Sequence, residues 1–358
     1  MRFEALEPRR TLDGQAFYDG TSLEPVAGGA STTIADVLAA QAAGATATVG
    51  AIAAIADEHW LCQPADFGSP SSLTEAADLV GLTAWQSNPQ FDPFDGTGYS
   101  VAVLDTGIDL DHPFFGPDAD GNGVADRIVY AQNFISPGEA PHDLNGHGTH
   151  VTSIIASSDA TYPGAAPGAN IIVLKVLNDA GFGPTGALES ALQWVVANAD
   201  AYNIASVNLS LSFLDNNAAP TSRPELGLND ELAAIAAQNV IVSSASGNAF
   251  FSFGGAPGVG YPAADPNSLS VGATWSHDSG GPYQWSGGAM DFTTGADRLV
   301  SFSQRGELVT SVFAPGAPIV AAAVGGGVAT LSGTSMATPL VAGASLLAQQ
   351  IAETTAGE

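Results

Sequence analysis

The chain has 358 residues, of which 45% are hydrophobic, so it can bury the core of one large domain and is not disordered throughout. Its 36 acidic residues outnumber its 8 lysines and arginines and give a formal net charge of -28 at pH 7. Nucleic acid and anionic membrane surfaces repel such a chain, so neither is expected as a partner. Cys62 is the single cysteine, which excludes an intrachain disulfide.

The N-terminal residues 1–75 are rich in Ala, Gly and Ser and lack a sustained alternation of strands and helices. The uncharged stretch 37–56 has too few strongly apolar side chains to favour a membrane span, and no signal-peptide core precedes it. Residues 6–12 (LEPRRTL) resemble the LEPR-XLL motif of exported bacterial proteins, which implies an extracellular or cell-surface location. We expect a leader, linker or propeptide-like segment over 1–75 and a folded domain over 76–358.

Apolar runs typical of buried strands begin at residue 99 and alternate with helical patterns. The predicted strands cover residues 99–104, 170–177, 204–213, 240–244 and 269–273. Helical spacing of apolar residues predicts helices over 184–198 and 229–238. This alternation predicts an α/β fold with a mostly parallel central sheet covered on both faces by helices. Ligands bind beyond the carboxyl ends of the strands in such sheets.

Three polar residues lie at the ends of predicted elements, where the side chains of such a fold can take part in a reaction. Asp105 ends the first strand in VAVLDTGID, His147 precedes a helical run in NGHGTHV, and Ser335 lies on a glycine-bearing turn in SGTSMATP. Each residue alone is more often a helix cap, a turn residue or a packing residue. Together they supply the carboxylate, imidazole and hydroxyl that serine-based amide hydrolysis requires.

Four segments, VAVLDTGID, NGHGTHV, SASGN and GTSMATP, resemble the sequence signatures of the subtilase family, the subtilisin-like serine proteases of peptidase family S8. The resemblance extends from Gly81 to the C-terminus. It implies a subtilisin-like three-layer α/β sandwich and a secreted serine endopeptidase that forms an acyl-enzyme intermediate. It further implies that Asp105 orients the imidazole, His147 acts as general base and acid, and Ser335 is the nucleophile, whereas His150 is structural.

The same resemblance implies an oxyanion hole and a substrate-binding strand. Asn248, at the end of SASGN, matches the asparagine that donates to the developing oxyanion together with the Ser335 backbone N–H. An extended polypeptide substrate is expected to pair with segments flanking the cleft; the residues implied are Ser210, Leu211, Ser212, Ser246 and Gly247. Glycines commonly follow the Ser-Leu pair in this family, so we expect Ser212 and Phe213 to reshape the first specificity pocket.

An acidic loop between the Asp105 and His147 segments has the spacing of a calcium-binding loop. Asp118, Asp120, Asn122 and Asp126 fall at loop positions 1, 3, 5 and 9, with a glycine at position 6 and the backbone oxygen of Val124 at position 7. Val129 replaces the glutamate of position 12, so the loop is partial and resembles that of dockerins. It predicts a structural Ca²⁺, with an acidic turn that binds no metal as the alternative. Catalysis itself requires no cofactor here.

Two other interpretations of the chain remain open. The first is a catalytically silent, calcium-dependent surface or adhesion module on a subtilase fold, although such a module has no physical need for the triad and Asn248. The second is a zymogen in which residues 1–75 inhibit the domain that follows. Few residues follow Ser335, so the chain is compatible with further domains of a longer protein.

Overall fold

The computed structural model describes residues 51–54, 73–89, 91 and 94–356. Its strands are β1 (Ala51–Ala54), β2 (Ser100–Asp105), β3 (Ile128–Asn133), β4 (Asn170–Lys175), β5 (Phe182–Pro184), β6 (Ile204–Leu209), β7 (Leu211–Ser212), β8 (Ile241–Ala245), β9 (Ser268–Trp275), β10 (Tyr283–Gln284), β11 (Met290–Asp291), β12 (Val312–Ala317), β13 (Ile319–Ala322) and β14 (Val328–Leu331). Its α-helices are α1 (Leu73–Leu79), α2 (Leu82–Gln86), α3 (His147–Ala156), α4 (Thr185–Asn198), α5 (Asn229–Ala237) and α6 (Thr334–Ala356).

The central sheet has seven strands in the order β12-β9-β8-β6-β2-β4-β3. Every neighbouring pair in it is parallel. All the carboxyl ends therefore lie at one edge of the sheet, where Asp105 ends β2 beside its register partner Lys175 in β4. The mostly parallel α/β fold predicted from the sequence is confirmed.

Alternating side chains of β2 enter two different cores. Val101 and Val103 pack with residues of α3 and α6 on one face of the sheet. Ala102 and Leu104 pack with residues of α4 and α5 on the other face. The sheet is therefore the middle layer of a helix–sheet–helix sandwich, and both faces of its strands are apolar, as buried parallel strands require.

The strand predicted over 204–213 is interrupted at Ser210. Its first part is β6 in the central sheet, whereas Leu211 and Ser212 form β7 in a separate three-stranded sheet of order β5-β1-β7. The backbone carbonyl of Ser210 accepts a hydrogen bond from Ser335 Oγ at 3.3 Å, and Ser210 Oγ donates to the Ser335 carbonyl at 2.9 Å. The contact with α6 thus replaces the continued strand, which apolar periodicity alone could not show.

The N-terminal part of the chain falls largely outside the described residues, including Cys62 and residues 6–12. The expected boundary between residues 75 and 76 lies within α1, and the division into 1–75 and 76–358 stays a prediction. Among the described residues, no helix combines the length and apolar character that crossing a bilayer requires.

Candidate active site

Asp105 and His147 are in direct contact at the carboxyl edge of the sheet. Both side chains are buried, and His147 Nδ1 lies 2.7 Å from Asp105 Oδ1. The Thr106 backbone N–H donates to the same carboxylate oxygen at 2.7 Å. Since a carboxylate oxygen accepts hydrogen bonds, this contact fits the imidazole tautomer that has its proton on Nδ1 and its lone pair on Nε2.

Ser335 lies in the first turn of α6, which packs against α3, the helix that begins at His147. Pro339 within α6 has no N–H, so the Ser335 carbonyl lacks the usual helical partner four residues on. Ser210 Oγ supplies the missing donor at 2.9 Å. The proline thus frees a backbone acceptor that anchors the Ser335 turn to the segment entering β7.

Asn248 is oriented by Thr334, the residue before Ser335. Its Oδ1 accepts from the Thr334 backbone N–H at 3.0 Å and from Thr334 Oγ1 at 2.9 Å. These donors identify which end of the amide is oxygen, so the opposite end is the NH₂ group that an oxyanion hole requires. Thr334 Oγ1 also accepts from the Gly247 N–H at 3.2 Å. Thr334 was not among the predicted site residues, although it lies within GTSMATP.

β1 is an extended segment held between two strands near Ser335. It pairs antiparallel with β7, with Ala53 opposite Ser212 and Ala54 opposite Leu211. On its other side it pairs antiparallel with β5, with Ala53 opposite Phe182. Continuing along β7 past Leu211 leads to Ser210, which is bonded to Ser335. The β5 side of this arrangement was not predicted, because Phe182–Pro184 has no apolar alternation of its own.

Ser212, Phe213 and Ser246, which were also expected near the substrate, are buried. Ser212 Oγ accepts from the Leu214 N–H at 3.2 Å, and a Cβ added to Gly260 would lie only 2.1 Å from that hydroxyl. Ser212 therefore fills space beside Gly260. Phe213 is 8% exposed and packs edge-on against Tyr261 in the core, and its effect on a specificity pocket stays a prediction. Ser246 Oγ donates to the Gln304 carbonyl at 2.7 Å.

His150 is fully buried one turn along α3 from His147. Its Nε2 lies 3.2 Å from the Ala329 carbonyl in β14. Burial, and after it the neighbouring His147, lower the pKa of His150 to about 3. A neutral imidazole bonded to a hairpin is consistent with the structural role expected for this residue.

The acidic loop is closed by backbone donors and brings three carboxylates together. Oxygens of Asp118, Asp120 and Asp126 lie within 4.8 Å of one another. The Gly123 N–H donates to Asp118 Oδ2 at 2.8 Å and lowers the pKa of that carboxyl. Asn122 Oδ1 accepts from the Val124 N–H at 2.8 Å. A set of carboxylate, amide and backbone oxygens fits the preference of Ca²⁺ for hard oxygen ligands.

Comparisons of the sequence with known proteins point to one family. The model described as the Subtilase family matches residues 96–356. The chain is 33% identical to Subtilisin Savinase of Lederbergia lenta over 71% of its own length and 77% of that protein. It is 32% identical to an Intracellular serine protease of Paenibacillus polymyxa, over 72% and 68% of the two lengths. It is also 33% identical to Alkaline serine exoprotease A of Vibrio alginolyticus, of which it spans only 39%.

Proposed function

Because the chain belongs to the subtilase family, we propose that it is a secreted serine endopeptidase that cleaves polypeptides through an acyl-enzyme intermediate. The observation that carries the proposal is the buried 2.7 Å contact between His147 Nδ1 and Asp105 Oδ1, next to the helix whose first turn holds Ser335. A buried imidazole whose Nδ1 is held by a carboxylate in this way can act as a general base through Nε2.

The residues have distinct roles in the proposed reaction. Ser335 Oγ attacks the scissile carbonyl carbon while its proton passes to His147 Nε2, and the carbonyl oxygen becomes an oxyanion. The Asn248 NH₂ and the Ser335 backbone N–H donate to that oxyanion. His147 then gives its proton to the departing amine, which leaves an ester on Ser335. Water activated by the same imidazole hydrolyses the ester and restores the serine.

We further propose that substrate binds as an antiparallel strand in the place that β1 occupies. The pairing of Ala51–Ala54 with both β5 and β7 supports this mode, since an extended backbone there satisfies its donors and acceptors on both sides. The same pairing supports an inhibitory role for the N-terminal segment 1–75, because substrate and β1 would compete for one set of backbone partners. Ser212 and Gly260 are proposed to limit the space for side chains beside this strand.

A structural Ca²⁺ in the acidic loop is part of the proposal. Asp118, Asp120, Asn122 and Asp126, with the Val124 carbonyl, would hold it, and the carboxylate cluster supports this assignment. The ion would neutralise carboxylates that otherwise repel one another and would order the loop that precedes β3. It takes no part in the reaction.

The extracellular or cell-surface location is proposed from the acidic net charge and the N-terminal motif. The relatives do not decide the location, because an intracellular protease is among them.

Covalent labelling with a fluorophosphonate probe tests the proposed function. The chain should label, Ser335→Ala should not, and Ser345→Ala should label like the parent because Ser345 lies two to three turns along the same helix. His147→Ala should label far more slowly, since the probe reports an activated serine. If the parent chain, Ser345→Ala and Ala53→Pro, in which the pairing of β1 is weakened, all fail to label with calcium present, the endopeptidase proposal is wrong, and a silent binding module on the same fold takes its place.

A further inference from the structure

A buried carboxylate outside the proposed triad connects the segments that carry Asp105 and His147. Asp143 is 2% exposed and lies four residues before His147. Its Oδ1 accepts from the backbone N–H groups of Asn145 at 3.0 Å and Gly146 at 2.8 Å. Its Oδ2 accepts from Thr149, both from the backbone N–H at 2.9 Å and from Oγ1 at 2.7 Å. The carboxylate therefore fixes the turn on either side of His147.

Thr106 joins this carboxylate to the other half of the site. Its Oγ1 donates to Asp143 Oδ1 at 3.0 Å and accepts from the Gly148 N–H at 2.9 Å. Its backbone N–H donates to Asp105 Oδ1 at 2.7 Å, the oxygen that His147 also contacts. One residue thus bonds the proposed orienting carboxylate, the turn before His147 and the first turn of α3.

Close packing and a buried lysine reinforce the same junction. A Cβ on Gly148 would lie 2.2 Å from the Gly107 carbonyl, so α3 begins in direct contact with the chain that follows β2. Lys175 Nζ donates to the carbonyls of Thr106 at 2.5 Å and His142 at 3.1 Å. The two segments are therefore tied by side-chain bonds on both sides of their contact, and little freedom is left to the His147–Asp105 geometry.

We propose that Asp143 and Thr106 are positioning residues that set the His147–Asp105 hydrogen bond, an inference that rests on the proposed protease function for its catalytic consequence. The Asp143 carboxylate holds these segments together because both of its oxygens accept hydrogen bonds from them. In Asp143→Asn the amide NH₂ must face either the Oδ1 donors, which are the Thr106 hydroxyl and the N–H groups of Asn145 and Gly146, or the two donors of Thr149. Either choice sets the NH₂ against at least two donors and shifts the turn that carries His147.

Kinetics of matched variants test the proposal on a peptide substrate. We expect Asp143→Asn and Thr106→Val to lower kcat by about 100-fold with KM within about threefold, because a displacement near 1 Å can cost that much in rate. Thr106→Ser keeps the hydroxyl and should restore kcat to within about threefold of the parent. Asp291→Asn is the control: its carboxylate is also buried and bonded to Trp285 and Ser301, but in the β10–β11 region.

The control separates positioning from stability. Asp291→Asn weakens the charge-assisted bonds that Trp285 and Ser301 make to Oδ2 and should lower the thermal midpoint, yet leave kcat within about twofold, because these bonds do not reach His147. The proposal is wrong if Asp143→Asn and Thr106→Val keep parental kcat while folded, or if Thr106→Ser fails to recover what Thr106→Val loses.

A second readout does not depend on turnover. In a Ser335→Ala background, the far-downfield proton resonance of the His147–Asp105 hydrogen bond should shift or broaden in Asp143→Asn and Thr106→Val and stay unchanged in Asp291→Asn. An unchanged resonance in the first two variants overturns the positioning role. An inert parent enzyme whose resonance responds in this way would refute the protease proposal and leave the positioning role supported.

Discussion

Acidification should destabilise this fold through His150. The unfolded side chain titrates at its ordinary value of 6.5, whereas burial lowers the pKa of the folded imidazole to about 3. Between these values the unfolded state binds a proton that the folded state does not, so the free energy of unfolding falls as pH falls. Each pH unit in that window is worth about 1.4 kcal/mol. From pH 7 to pH 4 this one residue should therefore remove about 3 kcal/mol of stability.

Urea unfolding of the Ser335→Ala variant at pH 7 and pH 4 measures this loss without self-digestion. His150→Gln in the same background is the matched control, because glutamine offers an N–H toward the Ala329 carbonyl and does not titrate. The two proteins differ at residue 150 alone, so the difference between their losses of stability isolates the imidazole. The control should lose about 3 kcal/mol less than its parent between the two pH values. Equal losses in the two proteins would refute the reasoning.

Three other predictions address the site. Asn248→Ala should lower kcat by about 100- to 1000-fold with little change in KM. This range was measured on an oxyanion-hole asparagine of subtilisin, a relative of this chain. A decrease in kcat of less than about threefold would contradict the proposed oxyanion hole. Calcium should raise the thermal midpoint of the parent, and Asp118→Asn should abolish that rise; an equal rise in both would remove calcium from this loop. Ala53→Pro removes a backbone donor from the central strand of its sheet and should speed fluorophosphonate labelling of Ser335; unchanged labelling would contradict competition between β1 and substrate.

The fold followed from patterns that are local in sequence. Runs such as residues 99–104 are apolar at every position because parallel strands are buried on both faces, and this character is visible without any tertiary contact. The alternation with helical spacing then fixed the fold class. Glycine-bearing segments at the ends of predicted elements also indicated Asp105, His147 and Ser335 as candidate catalytic residues. Their catalytic roles stay a prediction that labelling tests.

Only the tertiary structure decided how the segments meet. The break at Ser210 depends on a partner 125 positions away in the chain, and the frame that Thr106 and Asp143 build spans 37 positions. The pairing of β1 between β5 and β7 likewise joins β1 and β5, two short segments with no strand signal of their own, to the end of the strand predicted over 204–213. Hydrogen bonds between such distant groups leave no periodicity in the sequence, because each partner taken alone has the composition of an ordinary turn. Local composition therefore indicates which strands are buried, whereas contacts between distant parts of the chain determine where the reactive groups lie.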